Sequence, residues 1–113
     1  MVIEMTHTLK NACFSLKEKF LTDQKPENKR DPQFFEMVRK EAEPLFDLIH
    51  KWEEETLAAI KQRQFHVHPQ QVIATKENFE LILMHSYYID VKKQRYMELY
   101  QAIQYVFDLL LSH

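Results

Sequence analysis

Residues 31–63 read DPQFFEMVRKEAEPLFDLIHKWEEETLAAIKQR. Within them Phe35, Val38, Ala42, Leu45, Ile49, Trp52, Thr56 and Ala59 recur at alternating steps of three and four. That spacing puts all these side chains on one stripe of an α-helix. Asp31 can cap the first free N–H groups, and Pro32 suits the first helical position, where no N–H is needed. Pro44 stands inside the run. It lacks the N–H that would reach the carbonyl of Lys40, so the helix is expected to kink near Pro44. Register kept on both sides of Pro44 predicts one long kinked helix rather than two separate ones. About 32 residues at 1.5 Å each reach roughly 48 Å, against roughly 30 Å for the neighbouring segments. The first third should therefore overhang the end of the assembly or fold across it.

Three further stripes flank this one. Met5, Leu9, Ala12, Leu16 and Phe20 mark a helix over 2–22, with Cys13 beside the stripe. Val72, Thr75, Phe79, Ile82, Ser86 and Ile89 mark a third over 69–89, opened by Pro69 and with Leu83 alongside. Tyr96, Leu99, Ile103, Val106 and Leu110 mark a fourth over 93–112. The segment 23–30, DQKPENKR, is the clearest break. The links at 64–68 and 90–94 are short, and short links force antiparallel neighbours. The chain contains no glycine, which counts against tight hairpins, a dinucleotide fingerprint and a phosphate-binding loop. The reading is an all-α, up-down-up-down four-helix bundle, with residues 1–113 forming a single domain.

Composition bounds the function. Hydrophobic residues at 45% and charged ones at 28% suit a globular core, and a chain of this size buries roughly 65% of its unfolded surface. A formal net charge of −2 and a pI near 6.3 supply no global attraction to nucleic acid or anionic lipid. Cys13 stands alone, so no intrachain disulfide can form and a reducing compartment is the simpler expectation. Glu4, Thr6 and His7 occupy the region where a secretory signal would carry an apolar run. No stretch approaches 18 uninterrupted apolar residues, so no membrane span is expected. A soluble cytoplasmic protein follows as the expectation.

The six histidines raise the question of metal. Carboxylate-bridged di-iron bundles use inward-pointing Glu-x-x-His pairs. Glu4 with His7 has that spacing and Asp47 with His50 resembles it, but Met5, Leu9, Leu45 and Ile49 claim the inner faces and turn both pairs outward. His66 and His68 are better candidates, because residues two apart in an extended segment point the same way. A third ligand is not evident nearby, and a structural zinc site needs four. The plainer reading is that Phe65 and Val67 anchor the loop while His68 caps the next helix. No metal or other cofactor is expected. Cys13, Ser15, Ser86 and Ser112 lie in no nucleophile signature, and a triad is recognised only by geometry. Cys13 reads as a small buried hydrophobe, and the Ser86 hydroxyl is expected to return to a carbonyl of the preceding turn. The first and third links share one end of the bundle. Lys29, Arg30, Lys92, Lys93 and Arg95 gather there beside Tyr87, Tyr88 and Tyr96 as a candidate anion or partner patch. Asp23, Glu27, Asp31 and Asp90 share that end and count against nucleic acid.

Phe34-Phe35-Glu36, Trp52, Ile60-Lys61-x-Arg63, Val67-His68, Lys76-x-Asn78-Phe79, Ser86-Tyr87 and Lys92-Lys93-x-Arg95 give the chain a resemblance to the YppE-like family of small helical proteins from Gram-positive bacteria. The likeness covers about two thirds of the chain and is weak over the first helix. The chain departs from the family in the position of Pro44 and in a link before His68 that is one residue shorter. The resemblance implies a four-helix bundle and no established activity, so no catalytic residues carry over. The leading expectation is a non-enzymatic interaction or accessory protein of the bacterial cytoplasm. Its unknown protein partner would dock on apolar and aromatic side chains such as Tyr88, Tyr100, Tyr105 and Leu111. The alternative is a small-ligand- or metal-binding bundle. An exposed aromatic patch over a filled core would favour the first, and a cavity with convergent polar groups the second.

Overall fold

Four apolar stripes become four helices: α1 (Val2–Thr22), α2 (Pro32–Lys61), α3 (Pro69–Tyr87) and α4 (Lys93–Leu111). The computed structural model describes residues 1–22, 32–87 and 90–112, and no strand occurs among the described residues. The break at 23–30, Asp31, and the expected end of the third helix at Tyr88 and Ile89 lie outside them. Side-chain pairs fix the topology. Thr6 meets Trp52 while Lys19 meets Glu41; Glu41 meets Tyr87 while His50 meets Glu80. Lys10 meets Asp108 while Phe20 stacks on Tyr96. In each set, residue numbers rise on one helix as they fall on the other, so these neighbours are antiparallel. Across the centre α1 and α3 also touch, whereas α2 and α4 are the distant diagonal among the described residues.

α2 runs unbroken through Pro44, so 32–43 is continuous with the rest of the helix. Its thirty residues amount to about 45 Å and account for most of the 48 Å long axis of the molecule. Leu9, Trp52, Phe79 and Ile103 are all fully buried, as the stripes predict. The start of the α2 stripe differs from expectation. Phe34 is 8% exposed and Phe35 46%, so the inner residue is Phe34. A step of four back from Val38 turns the helix by about 40°, and a step of three by about 60° the other way. A three-and-four pattern admits both, and the smaller angle lies deeper. On α1 the fully buried residue after Leu9 is likewise Cys13, with Ala12 only half-buried.

A glycine-free chain still has to end its longest helix. Gln64 N–H donates to the Ala59 carbonyl at 3.0 Å and Arg63 N–H to that of Ile60 at 2.9 Å. This is the paired closure of a Schellman turn, which requires a left-handed residue. Arg63 takes that role with φ of 62°. A side chain with a Cβ is strained there. Arg63→Gly should therefore stabilise the protein by about 0.5–1 kcal/mol, read from urea unfolding. A loss of stability would mean that the Arg63 side chain contributes more than its backbone strain costs.

Candidate functional site

The two histidines singled out from the sequence are both exposed, and His68 has local work. Its Nδ1 accepts the Gln70 N–H at 3.0 Å, while its own N–H donates to Oε1 of Gln71 at 3.0 Å. That reciprocal arrangement is a capping box, here with histidine at the cap. Among the described residues no group of three or more His, Cys, Asp or Glu side chains is placed to share an ion. Glu4, His7, Asp47 and His50 all face solvent. At the basic end Lys92, Lys93 and Arg95 are exposed, with Arg95 3.7 Å from Glu98; Lys29 and Arg30 lie outside the described residues. Two of the aromatics expected beside them, Tyr87 and Tyr96, are not on the surface. Tyr87 is buried, and Tyr96 is fully buried in a stack 3.8 Å from the Phe20 ring. Ser86 donates to the Ile82 carbonyl at 2.7 Å, as expected, which leaves its oxygen to accept from the Tyr96 hydroxyl at 2.9 Å.

Cys13 offers no nucleophile. It is fully buried, and burial pushes its thiol up to about 12, so the reactive thiolate is scarce at neutral pH.

The arrangement with most chemistry runs along the seam between α1 and α2, where small side chains leave two grooves. The first, about 430 Å³, opens over Ala12, Ser15 and Pro44. Its polar wall is a three-helix junction. Oε2 of Glu41 accepts from Lys19 Nζ at 3.1 Å and from the Tyr87 hydroxyl at 2.9 Å. Lys19 Nζ also sits 4.6 Å from the centre of the Tyr87 ring, within cation–π range. Burial works to raise the Glu41 carboxyl, but the hydrogen bonds from Lys19 and Tyr87 outweigh it and hold the group below its ordinary value. The same burial, and then the Glu41 carboxylate, pushes the Tyr87 hydroxyl well above its usual range. Lys19, Glu41 and Tyr87 thus form a clamp joining α1, α2 and α3.

The second groove, about 500 Å³, lies at the other end of the seam. Val2, Ile3 and Glu4 of α1 face Glu55, Ala58 and Ala59 of α2, and Phe65 closes the end. Oε2 of Glu55 is shielded from solvent yet has no hydrogen-bond partner among the described residues. Glu55 was not singled out by periodicity. In the run Glu53-Glu54-Glu55 it reads as one more solvated carboxylate, and only its position beside the Trp52 stripe hinted at the seam.

Apolar side chains remain outside the filled core. Tyr105 is 62% exposed on α4, and Leu81 and Met84 on the adjacent α3 are 39% and 36% exposed. Of the other side chains expected on such a patch, Tyr100 and Leu111 are half-buried. Lys17 reaches the Tyr100 ring at 5.1 Å from its centre. Tyr88 is outside the described residues. No described helix is long and apolar enough to cross a membrane.

The profile of a bacterial domain of unknown function, DUF1798, matches residues 6–113. The chain belongs to the DUF1798 family. Over 73 residues this DUF1798 member is 32% identical to the uncharacterized protein YppE of Bacillus subtilis (strain 168), a match spanning 64% of this chain and 59% of YppE. The crystal structure of YppE from Bacillus subtilis superposes with a TM-score of 0.84 at 24% identity, covering 98% of this chain and 89% of that one. That likeness shows a shared fold.

Proposed function

We propose that this DUF1798 member is a non-enzymatic interaction protein of the bacterial cytoplasm that binds a protein partner through the outer face of α3 and α4. The observation that carries this reading is Tyr105, exposed on α4, with Leu81 and Met84 exposed on the neighbouring helix. A large aromatic left in water loses the transfer free energy that burial would return, and tyrosine is enriched where one protein covers another. The core is filled without these side chains, since Phe79 of α3 and Ile103 and Phe107 of α4 are fully buried in it. The single cysteine is buried, in keeping with a reducing compartment. The test compares capture from bacterial lysate by the unaltered chain and by a Leu81→Glu, Tyr105→Glu double variant. A partner retained by the first and lost by the second, with both proteins melting at the same temperature, supports the reading. Equal capture by both would remove this face from consideration. The second reading, a small-ligand-binding bundle, is favoured by the groove at Glu55.

A further inference from the structure

We infer that His68 is a proton-operated fastener at the start of α3: its neutral imidazole closes the first turn of the helix, and a proton taken up at Nδ1 opens it. The first N–H groups of a helix have no carbonyl of that helix to meet. In α3 they are few, because Pro69 at the first position carries none. The Gln71 N–H reaches the His68 carbonyl at 2.9 Å, and the Gln70 N–H reaches Nδ1 of the His68 ring at 3.0 Å. The His68 N–H donates in return to Oε1 of Gln71 at 3.0 Å. The side chains usual at such a position, those of Asn, Asp, Ser and Thr, accept throughout the physiological range. Histidine does not. Nδ1 accepts only while it carries no proton, so the bond from Gln70 assigns the neutral tautomer with its hydrogen on Nε2. A proton on Nδ1 sets donor against donor and places positive charge at the positive end of the helix dipole.

No described carboxylate pairs with His68 to hold a charged ring in place. The titratable and charged groups nearest along the chain are His66, Lys61 and Arg63 before it, and Lys76 and Glu77 two turns into α3. On the facing helices Glu4 is taken by the Met1 amino group and Asp108 by Lys10. The cap is therefore closed above the range in which histidine changes charge, and its contribution is lost as pH falls through that range. Buried Val67 and the bond from Gln71 N–H to the His68 carbonyl do not depend on the ring. Opening is thus confined to the first turn of α3 and the link before it.

The test follows amide shifts of the nitrogen-15-labelled chain from about pH 8 to about pH 5, the window in which histidine changes charge. His68→Asn, whose side-chain oxygen caps without titrating, and His66→Gln are measured beside it. In the unaltered chain the Gln70 amide signal should move with the same midpoint as the His68 ring. In His68→Asn it should be close to stationary, and in His66→Gln it should move as before. Thermal melts give the second readout. Between the same two pH values the midpoint of the unaltered chain should fall by roughly 4 °C more than that of His68→Asn, the shift that loss of one cap produces in a domain of this size. Other groups titrate alike in both proteins, so the difference isolates His68. A Gln70 signal that stays put while the ring titrates, one that still titrates in His68→Asn, or equal falls in midpoint for the two proteins would overturn the inference. The α3–α4 surface plays no part in this test, so either proposal can fail alone.

Discussion

Trp52→Ala should lower the unfolding free energy by roughly 3–5 kcal/mol, the range for deleting a large buried aromatic. Trp52 is fully buried at the middle of α2 and meets the Phe107 ring edge-on, with centroids 5.4 Å apart. Its indole N–H donates to Oγ1 of Thr6 at 2.9 Å, and Thr6 donates onward to the Val2 carbonyl at 2.7 Å. Alanine would leave a cavity at the contact of α1, α2 and α4 and remove the donor to a fully buried hydroxyl. Against a total stability of about 5–15 kcal/mol for a domain, much of the folded population is at stake. Trp52→Phe should cost less, because the ring contact with Phe107 survives while the bond to Thr6 is lost. Urea unfolding of the three proteins measures both differences. A loss below about 1 kcal/mol for the alanine variant would mean that the site collapses around the truncation, contrary to the packing seen.

Stability should fall steeply in alkaline solution. Burial raises the Cys13 thiol from 9.0 to about 12 and the Tyr96 hydroxyl from 10.0 to about 12. Burial and the Glu41 carboxylate push Tyr87 in the same direction. These are acids whose charged forms the folded state disfavours, so the unfolded chain releases its protons first. Their contribution is complete below the unfolded values near pH 9 to 10 and is lost as pH rises towards 12. At 1.36 kcal/mol per unit, the two shifts set upper limits of roughly 4 and 3 kcal/mol. Together they rival the whole stability of a small domain. Urea unfolding at stepped pH should show a plateau through neutrality and a decline beginning near pH 9. Cys13→Ala should flatten the first part of that decline. A curve that stays level, or rises, up to pH 11 would show that these groups reach solvent in the folded state.

Periodicity placed both ends of α1, the start of α3 and, to within about two residues, the ends of α2 and α4, because burying one face of a 3.6-residue helix demands that spacing. It placed Leu9, Trp52, Phe79 and Ile103 in the core for the same reason. It also anticipated the Ser86 bond to a carbonyl and the cap at His68, which depend only on neighbours three or four positions away. Where two residues satisfied the same spacing it chose wrongly, taking Phe35 for Phe34. The basic and aromatic residues at one end looked like one patch because linear order says nothing of depth; Tyr87 and Tyr96 turn inward to meet Glu41 and Ser86.

What the chain determined by itself is therefore the number, length and inner faces of its helices, since these rest on local geometry and on the removal of apolar surface from water. The closure of α2 by a left-handed arginine was concealed, because the absence of glycine suggested that no such turn was available. The surfaces of functional interest were decided only by tertiary structure. The α1–α2 grooves exist because alanine, serine and proline on separate helices meet across a distance that helix packing sets. Glu55 became distinctive only when folding took its oxygen out of water without supplying a donor. Neither a gap between helices nor an unanswered acceptor is a property of any one segment.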